Sequence, residues 1–346
     1  MEATGSGDAA RYPKRQAIER ECDLVMKGGI TSGVVYPEAL SELARSYRFR
    51  SVGGSSAGAI AAAMAAAAEY GRDTGGFERL DRVPAEIAPV LPELFQPGPG
   101  TSVAHEAVMS AVDTRTSTGG KAQRIVGAVL RAQRPAFLAA LGAGALAALV
   151  VTLLAVGVDG FRGADVVGGL VVFVVLAAVA AVVAVGWALR SEGRATWAGL
   201  ADHGFGIYRG SAGTHAAPGP TGQGPGHLTD WLAERIDEVA GVAGPLTFGD
   251  LDAHGISLRV MTTDLSHGRP MTFPFTERRF LFDPVELGEY FPPRVVERMV
   301  VGCGPVVRRG GGPLLSPDGN PLYRLPDAAD MPVVVAARLS LSFPGL

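Results

Sequence analysis

The sequence predicts an α/β fold: a parallel sheet flanked by helices, interrupted midway by a pair of long apolar helices. Three observations predict it. The first seventy residues run strand, glycine turn, helix, strand, glycine turn, helix, the order of a parallel α/β sheet. Short apolar runs of β character return after residue 228. Between these parts stand two runs without a single charge, Ala136 to Val158 and Val166 to Leu189.

Residues 1–20 are polar and read as a flexible N-terminus. Cys22 to Met26 is a short apolar run that stops at Gly28-Gly29, as a buried strand does on entering a tight turn. Val34 to Ala44 carries Val34, Leu40 and Leu43 among polar residues, with Pro37 in its first turn, and reads as a helix. Arg48 to Val52 is a second strand, followed by Gly53 to Gly58 and an Ala-rich helix over Ala59 to Tyr70. Residues 97–101 and 211–226 are rich in Gly and Pro and read as loops. Leu228 to Val239 has the spacing of an amphipathic helix. Ile256 to Thr263 and Met271 to Phe275 read as strands joined by a turn at His267-Gly268, and Pro332 to Ala337 as a last strand.

Composition narrows the function. Charged residues are 19% of 346, against about 25% in ordinary soluble domains. The two chargeless runs explain that deficit. The net charge of −3 excludes a nucleic-acid binder that works through bulk positive charge. Two cysteines, Cys22 and Cys303, are too few for a disulfide framework or a zinc site and suit a reducing compartment.

As helices the two runs would each reach about 35 Å, enough for a hydrocarbon core of about 30 Å. A helical hairpin buried in a large core is the other reading. The short link from Asp159 to Asp165 makes the pair antiparallel, and Ala140, Gly144 and Ala148 supply a small-residue stripe. Lys121, Arg124, Arg131 and Arg134 precede the pair, and Arg190 and Arg194 follow it. By the positive-inside rule both flanking parts lie in the cytoplasm, which predicts a two-span protein of the cell membrane. The expected organisation is then a flexible 1–20, a first α/β part over 21–134, a transmembrane hairpin over 135–190, a linker over 191–227, and a second α/β part over 228–346.

Chemistry concentrates at the two glycine turns. Gly54-Ser55-Ser56-Ala57-Gly58 fits G-x-S-x-G. A serine on a sharp strand-to-helix turn has a strained backbone, and glycines two places either side leave room for the turn, with Ser56 the exposed nucleophile and Gly54 and Gly58 its elbow. The same residues also fit an ordinary turn. Gly28-Gly29 puts bare amides at another helix N-terminus, where an oxyanion or a phosphate could bind. No Gly-Lys-Ser/Thr follows, so this is no Walker loop.

Taken together, the two turns resemble those of the patatin-like phospholipase family, of bacterial type. Gly28-Gly29-Ile30-Thr31-Ser32-Gly33 stands where that family has a Gly-Gly-Gly-x-Arg/Lys-Gly loop, and Ser56 stands at its nucleophile. Thr263-Asp264-Leu265 with Gly268, and Ala337 to Gly345, resemble two later blocks. Ile30 replaces the third loop glycine and Ser32 the basic residue. The resemblance implies a three-layer α/β/α patatin-like sheet and a lipid acyl hydrolase of phospholipase A or lysophospholipase type. It works through a Ser–Asp dyad without cofactor or metal. Ser56 is then the nucleophile, and Gly28, Gly29 and Ile30 form the oxyanion hole. A phospholipid or other lipid ester is the substrate, and the bilayer is a partner.

The family's aspartate follows the Ser-x-x-x-Pro segment in Asp-Gly-Gly or Asp-Gly-Ala. Here the chain stops two residues after Pro344, so the base is expected beyond Leu346 and residues 228–346 are expected to be an incomplete second part. Asp318-Gly319 is the Asp-Gly near the end, which makes Asp318 a base candidate, although Ser316-Pro317 before it and Pro321 after it suit a turn. Two other functions compete. One is a catalytically inactive membrane effector or scaffold that keeps the fold. The other is an α/β-hydrolase with a Ser–Asp–His triad, for which His254 and His267 follow aspartates in the required order.

Overall fold

The computed structural model describes residues 11–29, 32–97, 101, 104–106, 163–202, 208, 210–211, 227–275 and 280–341, with scattered positions between 120 and 153. Contacts divide the chain into two units, Met1–Gln96 with Arg209–Phe343, and Pro97–Tyr208 with Pro344–Leu346.

In the first unit, β1 (Glu21–Met26), β2 (Arg48–Ser55), β3 (Ser257–Asp264) and β4 (Arg269–Phe273) form one sheet in that order. The first three strands are parallel and β4 returns antiparallel. The expected strands and their β3–β4 turn are therefore present, with Gly268 in the left-handed region at φ 61°. The register between β1 and β2 shifts at Cys22/Asp23. That irregularity lets both Phe49 and Val52 face the core, which strict alternation would forbid.

Helix α1 (Ser32–Ala44) follows β1, and α2 (Ala57–Tyr70) follows β2. Then come α3 (Gly76–Leu80) and α4 (Val83–Leu94). Helix α2 is the centre of the unit. It touches β1, β2 and β3 on one side and α1, α3 and α6 (Leu228–Ala240) on others. Ala59, Ala62, Ala63 and Ala65 to Ala68 are fully buried. A helix apolar all round is a core helix, and alanine lets its neighbours approach closely. Its far end is pinned by a buried pair: Arg72 donates to Glu69, Ala44 O and Tyr47 O, while Glu69 accepts from the Phe49 amide. Buried charges persist when each is paired and bonded in this way.

The remaining elements are α7 (Phe248–Ala253), β5 (Leu281–Phe282), α8 (Pro284–Leu287), α9 (Pro293–Val300), β6 (Tyr323–Arg324) and α10 (Val333–Leu341). Helix α10 corrects the expectation of a last strand. A short apolar run cannot be told from a buried helix by periodicity alone. Val333 to Arg338 are all buried, packed against α2, β3 and α6, and every side of the segment needs apolar cover.

Asp23, Val25, Arg50, Arg259 and Met261 lie exposed on the sheet. Ion pairs such as Arg50–Asp23 at 3.2 Å keep much of this surface polar.

The transmembrane hairpin is corrected too. Among the described residues, no helix is long and apolar enough to cross a membrane. The first run lies largely outside the described residues. The second falls within α5 (Gly163–Asp202), which continues through Arg190, Glu192 and Arg194. Ala184, Ala188 and Glu192, one helical turn apart, are buried. These three line one side of α5, while Val171, Val175, Val179, Val182 and Val183 on the same helix are exposed. The multi-pass membrane location and its orientation rested on that hairpin and fall with it.

Candidate active site

The site lies at the C-terminal edge of the parallel strands, where ligands of open α/β sheets bind. Met26 at the end of β1 pairs with Gly54, and Ser55 at the end of β2 pairs with Met261 of β3. Ser56 therefore leaves the sheet from its middle strand.

Ser56 has φ 56° and ψ −127°, and it is the one non-glycine residue with positive φ among the described residues. Such a conformation costs about 1–3 kcal/mol and persists where the surroundings over-determine it. Two glycines do so here. A Cβ on Gly54 would sit 2.1 Å from Gly58 O, and one on Gly58 would sit 2.2 Å from Met26 O. The start of α2 is thus pressed against the end of β1, backbone on backbone, as only glycine permits.

The first glycine turn meets the second at Gly28. A Cβ there would fall 2.7 Å from Ser56 Cβ and 3.4 Å from Ser56 Oγ. The Gly28 backbone therefore borders the Ser56 side chain. Gly29 has φ 150°, and Tyr36 of α1 donates to Lys27 O at 2.6 Å, tying the loop's start to the helix that follows it. Ile30 lies outside the described residues.

Two groups unforeseen in the sequence complete the elbow. Ser340, on the last turn of α10, accepts the Ser56 amide at 2.9 Å and donates to Met261 O at 2.5 Å. Thr262 of β3 donates to Leu339 O at 3.0 Å. The block containing Ser340 was visible in the sequence, but its meeting with a residue 284 positions away was not.

The other candidates make contacts of their own. Asp318 sits in a turn in which Gly319 donates to Ser316 O at 3.0 Å with φ 87°, and none of the described hydrogen bonds joins it to Ser56. His267 meets Asp264 at 2.8 Å through Nδ1, and its own amide also donates to that carboxylate. This is a local clasp in the β3–β4 turn. Desolvation pushes the Asp264 pKa up, yet the His267 hydrogen bonds and the Arg269 charge bring it below the usual value. His254 bonds Asp250 O within α7 and its following turn. Among the described residues, no three His, Cys, Asp or Glu side chains gather as metal ligands do.

Residues 24–82, from β1 past α3, match the family described as patatin-like phospholipase. Over this stretch the chain is similar to patatin-like phospholipases. The match contains both glycine turns and Ser56. The chain is also similar to a protein of Rhizobium meliloti (strain 1021) named "RpoH suppressor", 35% identical over 355 aligned residues that cover 93% of this chain. They cover 51% of that protein, so the chain spans about half the length of the curated relative it matches. No solved structure matches the chain. The patatin-like segment ends before β3 and α10, which supply the strand beside Ser56 and the hydroxyl on its amide.

Proposed function

We propose that the protein is a serine acyl hydrolase of lipid esters, of phospholipase A or lysophospholipase type. Ser56 Oγ attacks the ester carbonyl and its proton passes to a base, an aspartate by family resemblance. The carbonyl oxygen becomes an oxyanion beside the amides of the Gly28–Ile30 loop. Collapse of this intermediate expels the alcohol, a lysolipid in the case of a phospholipid, and leaves an acyl-serine. Water then attacks the acyl group and releases a fatty acid. The observation that carries the reading is the contact between the Gly28 backbone and the Ser56 side chain at the sheet's C-terminal edge.

An active-site-directed fluorophosphonate tests it. The wild type is expected to label on Ser56 and to hydrolyse a short-chain nitrophenyl ester, and Ser56→Ala to abolish both. Equal labelling of Ser56→Ala would overturn the nucleophile. A wild type that neither labels nor hydrolyses would favour the inactive scaffold, a reading supported by Ile30 and Ser32 in place of the loop's third glycine and its basic residue.

A further inference from the structure

We propose that Ser340 is a positioning residue that sets the angle at which the Ser56 hydroxyl is presented. The inference rests on the reading of Ser56 as nucleophile and deepens it.

Ser55 is the last residue of β2 to pair with β3, and its partner is Met261. One residue later the chain turns into the strained conformation of Ser56, and the Ser56 amide leaves the ladder. The Ser340 hydroxyl fills that gap. It accepts from Ser56 N and donates to Met261 O, so a single side chain replaces the ladder bond between two diverging strands. A hydroxyl is suited to this because it both donates and accepts.

The Ser56 carbonyl is fixed as well, by the Ala59 amide at 2.8 Å. With both backbone polar groups held, the direction of Cα–Cβ at Ser56 is set. The hydroxyl's own anchor is firm: the neighbouring carbonyl, Leu339 O, is held by Thr262. The tip of α10 thus clamps the elbow from outside the β–turn–α segment that contains it. Strain at a catalytic turn persists only under such over-determination. Alanine at 340 would leave an amide and a carbonyl unpaired and free the turn to relax.

The test follows fluorophosphonate labelling at several probe concentrations, separating maximal rate from half-saturation, in wild type, Ser340→Ala and Ser340→Thr. Hydrogen exchange of the peptide over residues 53–59 and a thermal melt accompany it. Ser340→Ala is expected to lower the maximal rate about 10- to 100-fold with half-saturation nearly unchanged, as small misplacements at a reacting centre do. Ser340→Thr, which keeps the hydroxyl, should recover most of the rate. The Ser56 amide should exchange faster in the alanine variant alone.

A wild-type rate in Ser340→Ala, or failure of a folded Ser340→Thr to recover the rate, overturns the proposal. If the alanine variant does not fold, Ser340→Cys replaces it: its weak donor should give an intermediate rate, and a wild-type rate overturns the idea. If Ser56→Ala labels like wild type, or the wild type does not label, the proposed function fails instead. Exchange at the Ser56 amide then decides the clamp alone, faster exchange in Ser340→Ala supporting it and unchanged exchange refuting it.

Discussion

At Gly28 the space a side chain would need is already occupied by Ser56 Cβ and Ser55 O, 2.7 and 2.8 Å from where a Cβ would stand. Neither neighbour is the flexible end of a long side chain, so one of the two turns must shift. Gly28→Ala is therefore expected to cost about 1–3 kcal/mol in urea unfolding. It should also cut fluorophosphonate labelling by about 100-fold. A variant that labels normally would show that the Gly28 loop plays no part in the chemistry. The two turns were legible in the sequence because their constraint is local: a strand, a sharp turn and a helix within a few residues need glycine at fixed offsets. Ser340 was not, because its role exists only where α10 meets β3. The Asp-Gly at Asp318 was legible as a turn, and Pro317 and Gly319 place it in one.

Among the elements, the segment after β5 shows how a single carboxylate holds two pieces together. Asp283 caps α8 by accepting from Val285 N at 2.9 Å, and it also accepts from Asn320 Nδ2 at 3.0 Å beside the Asp318 turn. Desolvation raises its pKa, but hydrogen bonds from Asn320, Ser316 and the two amides of α8 outweigh that and lower it overall. A carboxyl depressed on folding contributes stability above its unfolded pKa of about 3.9 and loses it as pH falls through the lower folded value. The nearby Glu286 has the opposite sign. Burial, with the charges of Asp283, Asp318 and Glu289, raises its pKa, so its protonation relieves strain before the acid step begins. Hydrogen exchange at residues 316–320 is expected to stay slow down to about pH 4 and to quicken below it, ahead of α2. In Asp283→Asn that acid step should be lost. A step that survives the substitution would assign it to another group. Helix α10 marks the limit of sequence reading at this scale, because Val-Val-Val-Ala-Ala satisfies a buried strand and a buried helix equally.

For the whole molecule, the joint between the two units gives a direct expectation. Pro97 and Tyr208 pair across an antiparallel bridge, which puts the chain's entry to and exit from the second unit about 5 Å apart. Segments whose ends lie that close can be removed without stretching the remainder. Replacing residues 97–208 by a short Gly/Ser linker is expected to leave a cooperative thermal melt and fluorophosphonate labelling at the wild-type rate. Loss of cooperative unfolding would show that the first unit depends on the second. The sequence by itself determined the α/β class, the strand–turn–helix order, the serine elbow and its glycine partner loop, all of which follow from spacing and local backbone sterics. It misread the apolar excess: a long chargeless run reads as a membrane span, yet among the described residues no helix is long and apolar enough to cross a membrane. Tertiary structure alone decided that, as it decided the helical state of Val333–Leu341 and the clamp of Ser340 on Ser56. Each depends on contacts between residues far apart in the chain, which no local pattern records.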